Sequence, residues 1–361
     1  MHYDYFILPA ALASRRFLSH SGSWRRCSSS AKSSMRMPKE FHLFAGIGGG
    51  IYGGELLGHQ CCAGVEISEF CQKVLQQRQE DGWMDEFEIY GDLRALDGKN
   101  FKGQFDILCG GFPCQAFSTA AHGKNIAEKN LWDEMLRFVK ESDAPVVFGE
   151  NVVLRAISKA KQDLEKIGYK VQFCRLSCSN LGADHQRNRF WLLAVKNQEI
   201  FEHIKNHITQ LPKFKGSYWS KNPDELGTDV PINNRREQLK AVGNAQSPFV
   251  AASAFRILVN RHIEDGTYTE NVSEEEIAKV FSKQKTWIKK TFGEEMGLVH
   301  TPTTMANYSA PSMMKHQGCR NFKEVFGTPA PKNAEYLMGF PLGASSPEPQ
   351  KKANFKKWGA K

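Results

Sequence analysis

Short apolar runs, each stopping on a glycine turn, an acid or a cysteine, recur through the first half of this 361-residue chain. Phe41-His42-Leu43-Phe44 turns on Ala45-Gly46-Ile47-Gly48-Gly49-Gly50, and Cys61 to Val65 stops on Glu66. A third region stops at Tyr90-Gly91-Asp92-Leu93, and Phe105-Asp106-Ile107-Leu108-Cys109 runs into Gly110-Gly111-Phe112-Pro113-Cys114. Strands of this kind, with helical segments between them, predict an α/β fold with a mostly parallel sheet. Ligands of such sheets bind just beyond the carboxyl ends of the strands. The glycines, the acids and the cysteine all fall at those ends. The pattern predicts a nucleoside-containing cofactor spread across the top of the sheet, with a nucleophile beside it.

Each element also has a plainer reading. A single buried cysteine is more often an inert small hydrophobe than a nucleophile, and its reactivity depends on its surroundings. Glu66 and Asp92, at strand ends, can simply cap the helices that follow. Arg187 and Arg189, ahead of Phe190-Trp191-Leu192-Leu193-Ala194-Val195, can be solvated charges on an edge strand. His185 reads as a polar loop residue. The glycine turn lacks the dinucleotide spacing, so NAD fits poorly.

Taken in order, these elements carry a resemblance. The Phe-x-Gly-x-Gly turn at 44–48, Glu66, Asp92, Pro113-Cys114-Gln115, Glu150-Asn151-Val152, His185-Gln186-Arg187-Asn188-Arg189 and Gly243-Asn244 resemble the DNA (cytosine-5-)-methyltransferase family. The likeness is strongest to phage and prophage members. It covers residues 39–260. It implies a Rossmann-like methyltransferase fold with S-adenosylmethionine as cofactor, no metal, and cytosine in double-stranded DNA as substrate.

By that resemblance, Cys114 is the thiolate that adds to carbon 6 of a flipped-out cytosine. Glu150 contacts ring nitrogen 3 and the exocyclic amine, and Asn151 holds the Glu150 loop beside the cysteine loop. Arg189 reaches the cytosine carbonyl oxygen, and Arg187 reaches the same site or a neighbouring phosphate. Phe44, Gly46 and Gly48 line the cofactor pocket. Glu66 takes the ribose hydroxyls, Ile67 packs on the adenine, Asp92 accepts from the adenine amine, and Asn244 closes the pocket. Pro113, Gln115 and Ser118 are placed toward the substrate nucleotide. An RNA (tRNA) cytosine-5 methyltransferase and a catalytically inactive DNA-binding paralogue stay open beside this reading.

The chain departs from the family pattern in three places. His42 stands where an acid or a serine is usual, and His185 and Asp184 replace glutamine and proline. Leu337-Met338-Gly339-Phe340-Pro341 follows the Gly243-Asn244 segment, whereas its family counterpart precedes it. That order places target recognition in residues 261–345. There Ser273-Glu274-Glu275-Glu276 opens a predicted helix rich in lysine. The expected organisation is a disordered or targeting-like extension at 1–38, a catalytic domain at 39–260, the recognition region at 261–345 and a basic flexible tail at 346–361.

Composition agrees with a globular, nucleic-acid-facing protein. At 41% hydrophobic the chain can bury a substantial core. Its net charge of +9 favours a polyanionic partner. Nine cysteines without a Cys-x-x-Cys pair argue against structural zinc and for a reducing compartment. Together with the resemblance, this implies a cytoplasmic, nucleoid-associated monomer with no membrane partner, solitary or paired with a cognate restriction endonuclease.

Overall fold

Seven strands form one sheet: β1 (Lys39–Leu43), β2 (Gln60–Val65), β3 (Glu88–Tyr90), β4 (Ile107–Gly111), β5 (Val146–Asn151), β6 (Lys170–Leu176) and β7 (Arg189–Val195). Their order is β3-β2-β1-β4-β5-β7-β6. Only β7 runs antiparallel to its neighbours, β5 and β6. This is the mostly parallel α/β architecture that the sequence predicts. The computed structural model describes residues 36–113, 131–183, 185, 187–211, 219, 233–263, 330–352, 355 and 358.

The strand order reverses between β1 and β4, and a crevice opens at such a point above the strand ends. Successive strand residues point to opposite faces. Phe41, Leu43, Leu108, Val147 and Leu192 therefore enter one apolar cluster, and Ile107, Cys109, Val146, Phe148, Trp191 and Leu193 the other. On the described residues, helices α1 (Gly49–Leu56), α2 (Glu69–Glu80), α3 (Leu131–Ser142), α4 (Leu154–Lys166), α5 (Gln198–Gln210), α6 (Arg235–Asn244), α7 (Pro248–Ile263) and α8 (Pro331–Met338) complete the fold. The amphipathic α3 sends Trp132, Met135, Phe138 and Val139 inward at helical spacing. The apolar α7 lies against α1, β6 and β7. None of the described helices is long and apolar enough to cross a membrane.

Three findings revise the expected organisation. Arg36, inside the stretch read as an extension, pairs both guanidinium nitrogens with Asp106 at 2.6 and 2.7 Å. That ion pair fixes the approach to β1 against the start of β4. Second, residues 330–345 belong to the core rather than to a separate recognition region. α8 packs on α6, and Tyr336, Met338 and Phe340 are buried in the main apolar cluster. Glu335, also buried, accepts from the backbone N–H groups of Gly343 (2.6 Å) and Ser345 (2.7 Å).

The third revision concerns the tail. Trp358 is 4% exposed. Its ring meets Tyr52 and Phe249, and its Nε1 donates to the Gly339 carbonyl at 3.0 Å. Phe355 stacks on Trp83. At these two positions the tail is docked, because its aromatic residues outweigh its lysines. The lysine-rich helix predicted from Ser273 lies outside the described residues, so the 264–329 part of the recognition region does too.

Candidate active site

The glycine turn after β1 builds the first wall. Phe44 and Gly46 both take φ of 55°, folding the chain sharply back over the end of β1. Gly48, with φ of 85°, starts α1, and a Cβ there would stand 2.5 Å from Met84 Cε. Only glycine meets both demands at once. Glu66, just past β2, accepts from Gly46 N–H (2.7 Å) on one carboxylate oxygen and Ser68 N–H (2.8 Å) on the other. Two of its roughly four lone-pair positions are thereby used, and the others stay open toward the cavity.

That cavity has a volume of about 310 Å³. It runs over the carboxyl ends of β1, β2, β4 and β5, and is closed by the end of α6. Six of the predicted site residues line it together: Phe44, Gly46, Glu66, Pro113, Glu150 and Asn244. Lys240, His42 and Gln246, which the sequence reading did not assign, line it as well. The adjacency of Gln246 to Gly243-Asn244 was the available signal for it. Gly48 is not among the lining residues, and its place is the N-terminal cap of α1.

At the other end of the cavity, Glu150 is buried at the end of β5. Its Oε1 lies 3.0 Å from Arg189 Nε, an ion-pair contact rather than an aligned hydrogen bond. Its Oε2 receives a long contact of 3.5 Å from Gln246 Nε2. Asn151 donates from Nδ2 to the Phe112 carbonyl at 2.8 Å and accepts from Val153 N–H at 2.9 Å. Cys114, Gln115 and Ser118 lie outside the described residues, and Pro113, on the cavity wall, is the last described residue before them.

Three further predicted residues, Arg187, Asp92 and Ile67, do not line the cavity. Arg187 does not face the cavity. It is buried, and its guanidinium donates to the carbonyls of Gly243 (2.9 Å) and Ala245 (2.7 Å) at the end of α6. Burial, with Arg189 beside it, pushes its pKa down to about 9. A cation there satisfies carbonyls that the helix leaves unpaired. Asp92 accepts from the side chain and N–H of Arg94 and caps a short 3-10 turn, which is the plainer of its two readings. Ile67 is 65% exposed, next to the cavity-lining Glu66 and Ser68 but not part of the wall.

The edge-strand reading of Arg187 and Arg189 also fails, since β7 lies inside the sheet. His185 is not a loop residue in solvent. It is fully buried, with neither ring nitrogen hydrogen-bonded among the described residues, and burial followed by the nearby Arg187 and Arg189 pushes its pKa down to about 3.

Beneath the glycine turn, Glu40 and His42 of β1 share a hydrogen bond of 2.8 Å, and His59 meets Glu40 at 2.6 Å. The unusual His42 thus has a buried carboxylate as its partner. Glu40, His42 and Cys109 each bring a potential ligand atom within 4.8 Å of the others, the one such group among the described residues.

Comparison with known proteins places this architecture. The family model for C-5 cytosine-specific DNA methylase matches residues 39–342. The type II methyltransferase M.MspI of Moraxella sp is 31% identical over 177 residues, covering 45% of this chain and 40% of its own. The type II methyltransferase M.CviJI of Paramecium bursaria Chlorella virus IL3A is 30% identical over 173 residues, covering 46% and 45%. The chain thus spans less than half the length of these two relatives. Among solved structures, a mutant of Spodoptera frugiperda DNMT2 aligns with a TM-score of 0.38 and 19% identity, over 54% of this chain and 56% of that one. The family match runs from the first strand through α8 and takes in every wall of the cavity, so the chain belongs to the C-5 cytosine-specific DNA methylase family.

Proposed function

We propose that the protein methylates carbon 5 of cytosine in double-stranded DNA. One observation carries this reading: a single cavity joins Glu66, Phe44, Gly46 and Asn244 at one end to Pro113 and Glu150 at the other. The residues fit S-adenosylmethionine. Glu66 keeps free acceptor positions for ribose hydroxyls, the exposed Ile67 offers an apolar face to an adenine, and Asn244 closes the pocket. When bound, that cofactor supplies an electrophilic methyl group. Asp92 reaches an adenine amine in this reading only by releasing Arg94.

The chain's own residues do the rest. The Cys114 thiolate adds to carbon 6 of a flipped-out cytosine, which makes carbon 5 nucleophilic and divides one difficult step into two. Glu150 shares a proton with ring nitrogen 3 as that bond forms, drawing charge out of the ring. Arg189, already beside Glu150, donates to the cytosine carbonyl oxygen. After methylation the carbon 5 proton leaves to water, and the electrons of the C–H bond expel the Cys114 thiolate. Extruding the base costs a few kcal/mol of stacking and pairing. Gln115 and Ser118 contact the displaced nucleotide, and the +9 net charge favours the phosphate backbone. A cognate restriction endonuclease is a compatible partner.

The test is transfer of labelled methyl from S-adenosylmethionine to unmethylated duplex DNA and, in parallel, to tRNA. Label recovered as 5-methylcytosine in DNA, and lost with Cys114→Ala, supports the reading. Label in tRNA alone moves the substrate to RNA. Cofactor binding without transfer to either leaves an inactive paralogue.

A further inference from the structure

Glu150, the carboxyl group set against the target base, has a neighbour that the chemistry above leaves idle. Gln246 points its side-chain Nε2 at Glu150 Oε2 across 3.5 Å, while Arg189 Nε lies 3.0 Å from Oε1. Each carboxyl oxygen thus has its own N–H neighbour.

Three features build Gln246 into that place. Gly111 pairs with Glu150 in the β4–β5 register, and a Cβ on it would stand 2.9 Å from both Gln246 Nε2 and Glu150 Oε2. A side chain there would wedge the two apart. Gly49, at the start of α1, brings backbone against backbone, since its Cβ would stand 2.2 Å from the Gln246 carbonyl oxygen. Arg187 in turn holds the carbonyls of Gly243 and of Ala245, the residue before Gln246. The turn between α6 and α7 is therefore fixed at two points, and the amide it carries is aimed at Glu150.

The order of these groups matches the pairing edge of a cytosine. That edge runs from the position-2 carbonyl through ring nitrogen 3 to the position-4 amine. Arg189 serves the carbonyl in the reading above, so Oε1, next to Arg189, falls to nitrogen 3 and Oε2 to the amine. Gln246 then stands beyond Oε2, at the position-4 end. A donor there engages a lone pair of Oε2 and keeps the carboxyl from turning, so that Oε2 meets position 4 as an acceptor. Cytosine offers that acceptor an amine proton. Uracil offers it a carbonyl oxygen, which it repels.

We propose that Gln246 is a positioning residue for base specificity: by holding Glu150 Oε2 as an acceptor, it makes the site select cytosine over uracil. The inference rests on the methylation reading given above and deepens it by naming what sets the choice of base. Without the amide, the carboxyl can rotate and present a protonated oxygen to a position-4 carbonyl. Uracil then becomes acceptable, and the same route methylates its carbon 5 to give thymine.

Duplex DNA whose cytosines have been sparsely deaminated to uracil offers both bases to the full chain in one tube. With methyl-labelled S-adenosylmethionine and digestion to nucleosides, label in 5-methyldeoxycytidine reports cytosine turnover and label in thymidine reports uracil turnover. Both products draw on the same enzyme–cofactor complex. Lost stability or weaker cofactor binding therefore lowers them together and leaves their ratio unchanged. Gln246→Met keeps the length of the side chain and removes the donor. It is expected to lower the cytosine-to-uracil ratio about tenfold relative to wild type, the value of one hydrogen bond. Gln246→Glu sets a second carboxyl against Oε2, so that a proton must lie between them, and should lower the ratio further. A ratio unchanged in both variants, whatever the total label, would make Gln246 a packing residue and overturn the proposal. A higher ratio would mean that its amide serves the uracil carbonyl, and overturns it too. Wild type without label in either nucleoside would instead defeat the methylation reading itself, and this inference with it.

Discussion

Asn151 Nδ2 donates to the carbonyl oxygen of Phe112 across 2.8 Å, joining the end of β5 to a residue two places before Cys114. The same amide accepts from Val153 N–H, so one buried side chain sets the exits of two adjacent strands. Those exits carry Glu150 and the Cys114 segment. Asn151→Ala leaves the Phe112 carbonyl without its partner and is expected to cost about 1–3 kcal/mol in urea unfolding. Methyl transfer should fall at least about tenfold, equivalent to ~1.4 kcal/mol in the barrier, with little change in cofactor affinity. If transfer and cofactor binding fell together, Asn151 would be supporting the fold alone.

Acid sensitivity should have two identifiable sources. His185 is held neutral, at about 3 against an ordinary 6.5, so its contribution is complete above pH 6.5 and declines as pH falls toward 3. Glu40 is held ionised, at about 2 against 4.5, so its contribution is complete above pH 4.5 and declines toward pH 2. Glu55 has the opposite sign. Burial, aided by Asp85 and Glu40, raises it to about 7, so its effect favours the fold as pH falls from 7 to 4.5. The opposing slopes mask one another in wild type, and a difference measurement separates them. The stability of His185→Asn relative to wild type should rise by about 3 kcal/mol between pH 6.5 and pH 4. A difference independent of pH would show that His185 titrates alike in folded and unfolded chains.

Gly54 lies inside α1, where alanine would ordinarily favour the helix by about 1 kcal/mol. Here a Cβ would stand 2.1 Å from Glu40 Oε2 and 2.9 Å from its Cδ. Glu40 cannot swing aside without giving up His42 and His59. Gly54→Ala should therefore destabilise, by about 1–3 kcal/mol as an overpacked core does. Chemical denaturation measures it directly, and a more stable variant would mean that the Glu40 carboxylate is free to move.

Trp358 gives a test of the docked C-terminal residues. Its indole fills space between Tyr52 and Phe249 and hydrogen-bonds the Gly339 carbonyl. Trp358→Ala should cost about 3–5 kcal/mol. Amide hydrogen exchange near Gly339 and in α1 should speed up in the variant. Unchanged stability and exchange would restore the flexible-tail reading.

The site is legible in the sequence where chemistry and strand ends coincide. Phe44, Gly46, Glu66, Pro113, Glu150 and Asn244 all lie at or near chain reversals above the sheet, and the sheet brings them to one cavity. The sequence misleads at Arg187 because alternation along a strand gives the face of a side chain but not its acceptor. Its acceptors, the carbonyls at the end of α6, are 56 and 58 residues away in sequence. At Asp92 the reason is local, since Arg94 two residues on takes its carboxylate.

The sequence by itself determined the alternation of strand and helix, the parallel sheet and the order of the site residues, because period, glycine turns and apolar runs are local properties. Only the tertiary structure decided which polar groups share a partner. Nothing local couples Glu40 to His59 nineteen residues later, or Tyr52 to Trp358 at the far end of the chain. Those pairings follow from the packing of α1 between the sheet, α7 and the C-terminal residues. A buried charge without a partner is costly, and which partner is available depends on chain segments that meet only after folding.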